Sequence, residues 1–322
     1  MSKTLFIIES PFQALCAFEA IEYFKVKEYD FIILFFEIDA IKKLENLMLK
    51  KGLSYTKEYA PNIIFDIMPR FFSRYSYYDA IFIGYYYCLT SFALASIYAS
   101  FQSKIYYLDD GAQTLEIFSH PFTKRFNSFR QKLVYSFFRM VYTFKFTRKF
   151  SFFTIYDVDS KKYNIIRNDL SLLRSSITSE KNGIYVIGTN SSMLEFKDYS
   201  YQELIIQLHK YLKHNHPLYH IYYCPHRRDI NNEQINALCR ELGMEIFDTE
   251  VSVEYDFSIK KINPVSIIGF TSNALFALRM IFPDTLIESV NYTLKSNSLN
   301  ESTQLINKVF EQKGIAIIDV FD

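Results

Sequence analysis

The chain of 322 residues carries 36 basic and 35 acidic side chains, and this balance does not indicate a nucleic-acid partner. Its 49% hydrophobic and 22% charged residues exclude a disordered chain, and its length allows two domains of about 150 residues each. The four cysteines are widely spaced without a CxxC pair, so they argue against a zinc site or a disulfide framework and favour reduced thiols in a cytoplasmic protein.

Short apolar runs alternate with helical patterns in the first half of the chain. Thr4 to Glu9 predicts a strand, and Pro11 begins a helical pattern that continues to Phe24, without the pattern of a signal peptide. The uncharged stretch 80–103 approaches the length of a membrane span, but its glycine and hydroxyl residues favour a strand followed by a helix. The further predicted elements are strands at 30–36, 63–68, 80–86 and 104–108, and helices at 40–51 and from 87 to 101.

A basic aromatic segment, residues 117–156, contains no Asp or Glu. Its Phe and Tyr residues are interleaved with Lys124, Arg125, Arg130, Lys132, Arg139, Lys145, Arg148 and Lys149. A helical segment of this composition can lie on the anionic inner surface of a membrane, so we expect a peripheral membrane contact here. A solvated basic face backed by core aromatics explains the pattern equally well, and a nucleic-acid groove is a weaker third reading because no nucleic-acid motif accompanies it.

The same alternation resumes after the polar stretch 175–182. Strands are predicted at 183–188, 218–224, 245–247, 265–270 and 314–320, and helices at 200–213 and 231–242. Apolar strands that alternate with helices indicate mainly parallel sheets covered on both faces. We therefore predict an α/β protein with two Rossmann-like domains, residues 1–175 and 183–322, and a central cleft between them.

Polar residues that follow apolar strands are the candidates for chemistry, because ligands of doubly wound sheets lie beyond the carboxyl ends of the strands. Four such groups occur: Glu9-Ser10-Pro11, Asp109-Asp110-Gly111, Pro225-His226-Arg227-Arg228-Asp229 and Thr271-Ser272-Asn273. One of Asp109 and Asp110 could act as a general base, with Gly111 allowing the turn that presents it. An ordinary turn with a helix cap is the alternative interpretation of this pair.

The third and fourth polar groups suit an anion. A histidine among arginines can neutralise a departing phosphate, although a surface loop with ordinary ion pairs accounts for His226 and Arg227 as well. Thr271, Ser272 and Asn273 begin an apolar helix, where they could bind an anion or simply cap the helix. The chain has no GxxxxGK[ST] motif and no visible cluster of metal ligands, so neither an ATP-type loop nor a metal is predicted.

Together these sites resemble the bacterial sialyltransferases, in particular the lipooligosaccharide sialyltransferases of glycosyltransferase family 52 and the capsular polysialyltransferases. Those families carry a D/E-D/E-G motif, an HP motif and an S/T-rich motif in this order. Here the three are Asp109-Asp110-Gly111, Pro225-His226-Arg227 and Thr271-Ser272. The opening IIESPFQALCAFEAI is similar to their first strand, loop and helix, so the resemblance covers most of the chain.

The resemblance implies a GT-B fold and an inverting transfer of sialic acid, or another nonulosonic acid, from a CMP-activated donor to a hydroxyl of a lipooligosaccharide or capsule glycan. It implies no metal and no cofactor besides the donor, and an acceptor linked to lipid at the inner membrane. Asp110 or Asp109 would be the base, and His226 would act on the CMP phosphate. The donor-binding residues would be Glu254 at the ribose together with Thr271, Ser272, Asn273 and Arg227, and the remaining active-site loop candidates are Ser10, Gln13, Gly188, Thr189 and Asn190.

The chain departs from the family pattern in two places. The proline that usually follows the histidine is Arg227 here. Some relatives place an aspartate after the first strand of the second domain, where this chain has Gly188-Thr189-Asn190-Ser191, so the base is expected at Asp109 or Asp110, with Glu195 as a weaker substitute. A UDP-sugar glycosyltransferase or epimerase with a GT-B fold, and a non-catalytic glycan-assembly protein, are the alternative functions.

Overall fold

The computed structural model describes residues 3–35, 41–59, 77–85, 88–111, 114, 133, 136, 151–157, 163–175, 181–226, 229 and 231–321. The chain forms two compact units, Met1–Leu170 and Ser171–Asp322. The division falls before the polar stretch 175–182, because the short helix Ser171–Arg174 packs against helices of the second unit. Within the described residues, no helix combines the length and apolar character needed to cross a membrane.

The first unit contains a parallel sheet of seven strands in the order β3-β2-β1-β4-β5-β6-β7. The chain builds outward from β1 in one direction and then continues from β4 in the other, so the topological switch lies between these two strands. The strands are β1 Thr4–Ile8, β2 Tyr29–Phe35, β3 Thr56–Tyr59, β4 Tyr78–Ile83, β5 Ala99–Leu108, β6 Ser151–Thr154 and β7 Asn164–Arg167, and the helices are α1 Pro11–Phe24, α2 Lys42–Lys50 and α3 Leu89–Tyr98.

Stacked aromatic rings hold the centre of this sheet together. Phe6 on β1 lies between Phe31 of β2 and Phe82 of β4, with ring centroids 5.1 and 4.8 Å away, and Phe82 stacks at 4.6 Å on Tyr106 of β5. Phe24 at the end of α1 packs against both Phe82 and Tyr106. Offset aromatic pairs add about 0.5–1.5 kcal/mol each beyond their buried area, so this face fixes α1 over the switch point.

The second unit contains a parallel sheet of six strands in the order β10-β9-β8-β11-β12-β13, and its topological switch lies between β8 and β11. Its strands are β8 Asn182–Ile187, β9 Ile221–Cys224, β10 Glu245–Ile246, β11 Pro264–Phe270, β12 Leu286–Val290 and β13 Ala316–Ile318. Its helices are α4 Ser171–Arg174, α5 Tyr201–Asn215, α6 Asn232–Glu241, α7 Val253–Ile259, α8 Asn273–Ile281 and α9 Asn297–Gln312, with a 3-10 turn at Ser191–Met193.

The structure corrects two predicted elements. The helix expected to continue to Phe101 ends at Tyr98, because Ala99 already pairs with Tyr78 and Ser103 donates a hydrogen bond to the Tyr78 carbonyl. The strand expected at 218–224 begins only at Ile221, since Leu218 lies in a turn with 93% of its surface exposed. The strand predicted at 63–68 lies outside the described residues.

The basic aromatic segment is not helical throughout. Its last residues form β6, where Phe152 stacks on Tyr107 at 5.2 Å and Phe153 is buried, so these rings belong to the protein core and not to a membrane-facing surface. Leu133 and Ser136 are helical and exposed. The other residues from 117 to 150 lie outside the described part of the chain.

Candidate functional site

Polar side chains collect at the switch point of the first sheet. Glu9 follows β1, Gly84 follows β4, and Asp109 and Asp110 follow the neighbouring strand β5. In open α/β sheets the crevice beyond these strand ends is where ligands bind. The first unit therefore places the predicted strand-end residues at the position where its architecture forms a site.

Asp109 is a structural carboxyl group inside the first unit. It is 0% exposed, and its two oxygens accept hydrogen bonds from the Thr154 hydroxyl at 2.6 Å and from the Ile155 main-chain N–H at 2.7 Å. Burial raises its pKa to about 7, while the bonds from Thr154, Ile155 and Thr114 act in the opposite direction. Asp109 thus ties the end of β5 to the end of β6.

Asp110 differs from its neighbour because it is partly exposed. Its Oδ1 accepts a hydrogen bond of 2.6 Å from the Gln13 side-chain amide, and its main-chain N–H donates to the Thr114 hydroxyl at 3.3 Å. Gly111 follows with a φ of 69°, a left-handed conformation that favours glycine. The turn predicted from Asp-Asp-Gly is therefore present, and it presents Asp110 while Asp109 is enclosed.

Glu9 is a second carboxyl group at this edge, and the sequence analysis gave it no role. Its Oε1 accepts a hydrogen bond of 2.9 Å from the Ser91 hydroxyl in the first turn of α3. Burial raises its pKa to about 7, and the nearby charge of Asp110 acts in the same direction, while bonds from Cys88 and Ser91 lower it. Near neutral pH, part of the Glu9 population is therefore protonated.

The structure uses Ser10 as the N-cap of α1. Its side-chain oxygen accepts the main-chain N–H of Gln13 at 3.3 Å, which explains its position before the helix without any ligand. Ser91, Thr154 and Gly84 belong to the same polar cluster and were missed in the sequence. Thr154 could have been found, because it is the polar last residue of an aromatic strand, but its segment was interpreted as helical.

In the second unit a buried aspartate organises the loop after β8. Asp229 Oδ2 accepts the Ser191 main-chain N–H at 3.0 Å and its hydroxyl at 2.6 Å, and Oδ1 accepts the main-chain N–H groups of Ser192 and Asn231 at 3.3 and 3.1 Å. These four donors all point at one carboxylate, which joins the loop after β8 to the loop after β9. The main-chain N–H groups of Ser191, Ser192 and Asn231 are thus already satisfied within the protein.

The candidates in the loop after β8 are held by local hydrogen bonds. The main-chain N–H of Gly188 donates to the Cys224 carbonyl at 2.9 Å, and that of Thr189 donates to the Tyr201 hydroxyl at 3.3 Å. The Asn190 side chain accepts the Ser192 hydroxyl at 2.6 Å. Glu195, the substitute base, lies farther along the chain with its side chain 80% exposed.

His226 is the second residue after β9, near the strand end where the sequence predicted it, and is partly buried. Its main-chain carbonyl accepts the Asp229 main-chain N–H at 3.1 Å and the Asn232 side-chain amide at 2.8 Å. Asp229 therefore fixes both the loop after β8 and the backbone that carries His226. Arg227, the predicted donor-binding neighbour, lies outside the described residues.

Thr271 and Ser272 lie between β11 and α8, and Asn273 begins α8, on the other side of the switch from Gly188. Ser272 is the N-cap of α8, and its side-chain oxygen accepts the Ala274 main-chain N–H at 3.3 Å. Thr271 donates to the Asn307 side chain at 3.4 Å, and Asn273 is exposed. Capping, the simpler of the two interpretations, is thus confirmed for Ser272.

Glu254 is buried in the first turn of α7. Helix α7 packs against α8, the helix that begins after Ser272. A carboxylate in a first turn is favoured by the helix dipole. Among the described residues, no group of three or more His, Cys, Asp and Glu side chains is arranged to hold a metal ion.

No protein-family model and no curated protein sequence matches the chain. The α/β-galactoside α-2,3-sialyltransferase of Photobacterium phosphoreum matches it in structure with a TM-score of 0.55 at 11% identity, over 98% of this chain and 98% of that chain. The GT-B domain of a Photobacterium damselae sialyltransferase matches with a TM-score of 0.51 at 11% identity, over 98% and 100% of the two chains.

The chain has a GT-B fold. A UDP-GlcNAc 2-epimerase of Methanocaldococcus jannaschii also matches, with a TM-score of 0.50 at 9% identity over 98% of this chain and 93% of that one. Because GT-B proteins at such low identity differ in their chemistry, the likeness establishes the fold, and the activity has to be argued from the residues.

The raised pKa of Glu9 predicts a pH dependence of stability. Between its ordinary value of 4.5 and about 7, Glu9 holds a proton in the folded chain that it loses on unfolding, so the free energy of unfolding falls as the pH rises through this window. Glu9→Gln should remove this loss, on the order of 2 kcal/mol for a carboxyl that is partly exposed. Urea unfolding of the variant and the wild type at pH 5 and pH 8 measures the difference.

Glu28→Gln, at an exposed position in the same unit, is the matched control and should keep the wild-type pH dependence. The pKa of Asp109 is also raised, so Asp109 lowers the free energy of unfolding with rising pH in both proteins. Only the difference between wild type and Glu9→Gln therefore reports on Glu9. Equal pH dependence in these two proteins would contradict the assignment.

Asp229→Asn should destabilise the second unit. The amide can accept at one atom only, so its NH2 group would face main-chain N–H donors that the carboxylate now accepts. We expect a loss of about 1–3 kcal/mol of unfolding free energy, measured by urea denaturation. Asp248→Asn, an exposed aspartate of the same unit, should change it by less than about 0.5 kcal/mol, and comparable effects of the two substitutions would refute the role of Asp229.

Proposed function

We propose that this protein is an inverting sialyltransferase, transferring sialic acid or a related nonulosonic acid from a CMP-activated donor to a hydroxyl of a bacterial surface glycan. One observation carries the proposal: Asp110 is a partly exposed carboxylate at the switch-point crevice, held by the Gln13 amide, and it belongs to the Asp-Asp-Gly motif. The match to the α-2,3-sialyltransferase over 98% of both chains supports the same class.

The chemistry requires a base on the acceptor side. As the acceptor oxygen forms its bond to the anomeric carbon, its proton passes to the Asp110 carboxylate, and the bond from that carbon to the CMP phosphate oxygen breaks with its electron pair on the phosphate. The attack comes from the face opposite CMP, so the configuration at carbon inverts. Asp109 cannot take this part in the folded chain, because both of its oxygens are engaged in the interior.

The donor side of the proposal uses the second unit. The departing CMP phosphate gains negative charge, which the His226 imidazole, Arg227 and the hydroxyls of Thr271 and Ser272 would neutralise, with α8 adding the positive end of its dipole. Asn273 lies in the same helix start. Glu254 would bind the ribose hydroxyls of CMP, which its place beside α8 supports. The imidazole, guanidinium and hydroxyl groups together can neutralise the charge of a single phosphate.

The acceptor in this proposal is a glycan linked to lipid at the inner-membrane surface. Its support is the composition of residues 117–150, the part of the basic aromatic segment that precedes β6, which contains no acidic residue. Co-sedimentation with vesicles containing anionic lipid tests it: binding that weakens with added salt is expected, and equal recovery with neutral vesicles would refute it.

Substitutions of the two neighbouring aspartates should have different effects. Asp110→Asn should lower transfer from CMP-sialic acid to a glycan acceptor by about 10²–10⁴-fold with little change in stability, because it removes the base. Asp109→Asn should instead lower the free energy of unfolding by about 1–3 kcal/mol, because the NH2 group of the amide would face a donor that the carboxyl group now accepts. Chromatographic product analysis and urea unfolding of both variants measure the two effects.

His226→Ala should also lower transfer, by roughly 10²–10³-fold, since it removes the charge opposite the departing phosphate. Full transfer by Asp110→Asn would exclude it as the base. If the wild-type chain neither releases CMP nor forms product with several CMP-nonulosonates, the proposed function fails.

The fold match to a UDP-GlcNAc 2-epimerase favours a second candidate, a GT-B enzyme that uses a UDP-sugar. CMP and UDP differ in the number of phosphates, so the donor side discriminates between the candidates. In thermal-shift measurements with either nucleotide at equal concentration, our proposal predicts a larger rise in Tm with CMP. A larger rise with UDP would favour the second candidate.

A further inference from the structure

We propose that Gln13 is a positioning residue, whose side-chain amide orients the Asp110 carboxylate at the switch point. The inference rests on the proposed role of Asp110 as the base and adds the group that holds this base in place. The contact joins the first turn of α1 to the residue after β5, 97 positions apart in the sequence.

The orientation of the Gln13 amide is determined by its two partners. Its Oε1 accepts the main-chain N–H of Glu9 at 2.7 Å, and its Nε2 donates to Asp110 Oδ1 at 2.6 Å. The flipped amide would set its NH2 group against an N–H donor and its oxygen against a carboxylate, so both contacts would become repulsive. Gln13 is 1% exposed, and burial keeps water from competing for either bond.

Gly84 provides the space for this amide. A Cβ atom at residue 84 would lie 2.1 Å from the Gln13 Oε1 and 2.5 Å from its Cδ. The backbone of Gly84 is not in the left-handed region, so alanine is allowed there by conformation. Because the atoms in the way belong to the far end of a flexible side chain, Gly84→Ala should displace the amide and leave the sheet intact.

The arrangement has a chemical consequence for Asp110. A donor bond to a carboxylate favours its ionised form, which is the form a base requires before it takes a proton. The bond also fixes the rotation of the carboxylate, so its remaining lone pairs keep one direction in the crevice. A residue that only stabilised α1 would affect neither property.

The test compares Gln13→Ala, Gly84→Ala and the double variant with the wild type. The pKa of the Asp110 carboxyl, measured by ¹³C NMR, should rise by about one unit in each single variant, because each removes the same donor. The double variant should show the same rise as Gln13→Ala and not the sum, since the methyl group of alanine 84 then enters the space that the glutamine vacates. Gln102→Ala, an exposed glutamine on β5, is the control and should leave the pKa unchanged.

Kinetics supply the second readout. The acid limb of the pH–rate profile for CMP release should shift upward by the same amount in both single variants, with kcat lowered and KM for the donor unchanged. Gln13→Glu should shift it further, because a carboxylate then faces Asp110. An Asp110 pKa that stays at the wild-type value in Gln13→Ala or in Gly84→Ala would overturn the proposal, as would additive shifts in the double variant.

The two hypotheses can fail separately. The NMR titration needs no turnover, so it decides the role of Gln13 even if no CMP-sugar is a substrate. If Gln13→Ala does not fold, Gly84→Ala still decides it, because that variant keeps the glutamine and moves only its amide. Absence of CMP release by the wild type, with the expected pKa shifts, would refute the sialyltransferase proposal and leave Gln13 as the group that orients Asp110.

Discussion

A buried carboxylate joins two neighbouring strand ends in each unit, and the candidate sites depend on it. Asp109 accepts hydrogen bonds from the end of β6, and Asp229 accepts four hydrogen bonds from the loops after β8 and β9. Parallel strands end at one edge of a sheet, where the loops must satisfy their own main-chain groups without a partner strand. A carboxylate that accepts several hydrogen bonds from these loops satisfies their main-chain N–H groups. It also makes the loops rigid enough to present a neighbouring side chain.

The residues next to these carboxylates are those with which a ligand could react. Asp110 follows Asp109 and is partly exposed, and the His226 main chain is held by Asp229 from three residues away. Glu9 adds a carboxyl group whose proton is retained to about pH 7, which limits the negative charge beside Asp110. A carboxyl group that stays partly protonated near neutral pH thus lies beside the proposed base.

Much of the architecture was predictable because buried parallel strands form continuous apolar runs. Helix α1 was predicted with its observed ends, Pro11 and Phe24, because a proline is favoured in the first turn of a helix and indicates where this one begins. The polar edge strand β3, TKEY, has no apolar run, and β12 carries a buried glutamate, Glu288, so neither was predicted. The aromatic strand β6 was taken for part of a basic helix because only its partners in the sheet distinguish core rings from membrane-facing ones.

Strand-end placement also predicted that Asp109, Asp110, His226 and Thr271 follow strands, as they do. The different roles of Asp109 and Asp110 were not predictable. They depend on Thr154, which is 45 residues from Asp109 in the sequence, and on Gln13, which is 97 residues from Asp110. Asp229 was noted only as the last residue of its motif. Its four hydrogen-bond donors come from two loops whose proximity is not visible in the sequence.

Asp110 is proposed to be the base that receives the acceptor proton. A crystal structure of the protein with an unreactive CMP-sialic acid analogue and a glycan acceptor tests it most directly. We expect the reacting hydroxyl to lie about 2.6–3.2 Å from an Asp110 oxygen while Gln13 still donates to Oδ1. A complex in which another carboxylate approaches that hydroxyl, with Asp110 turned away, would contradict it.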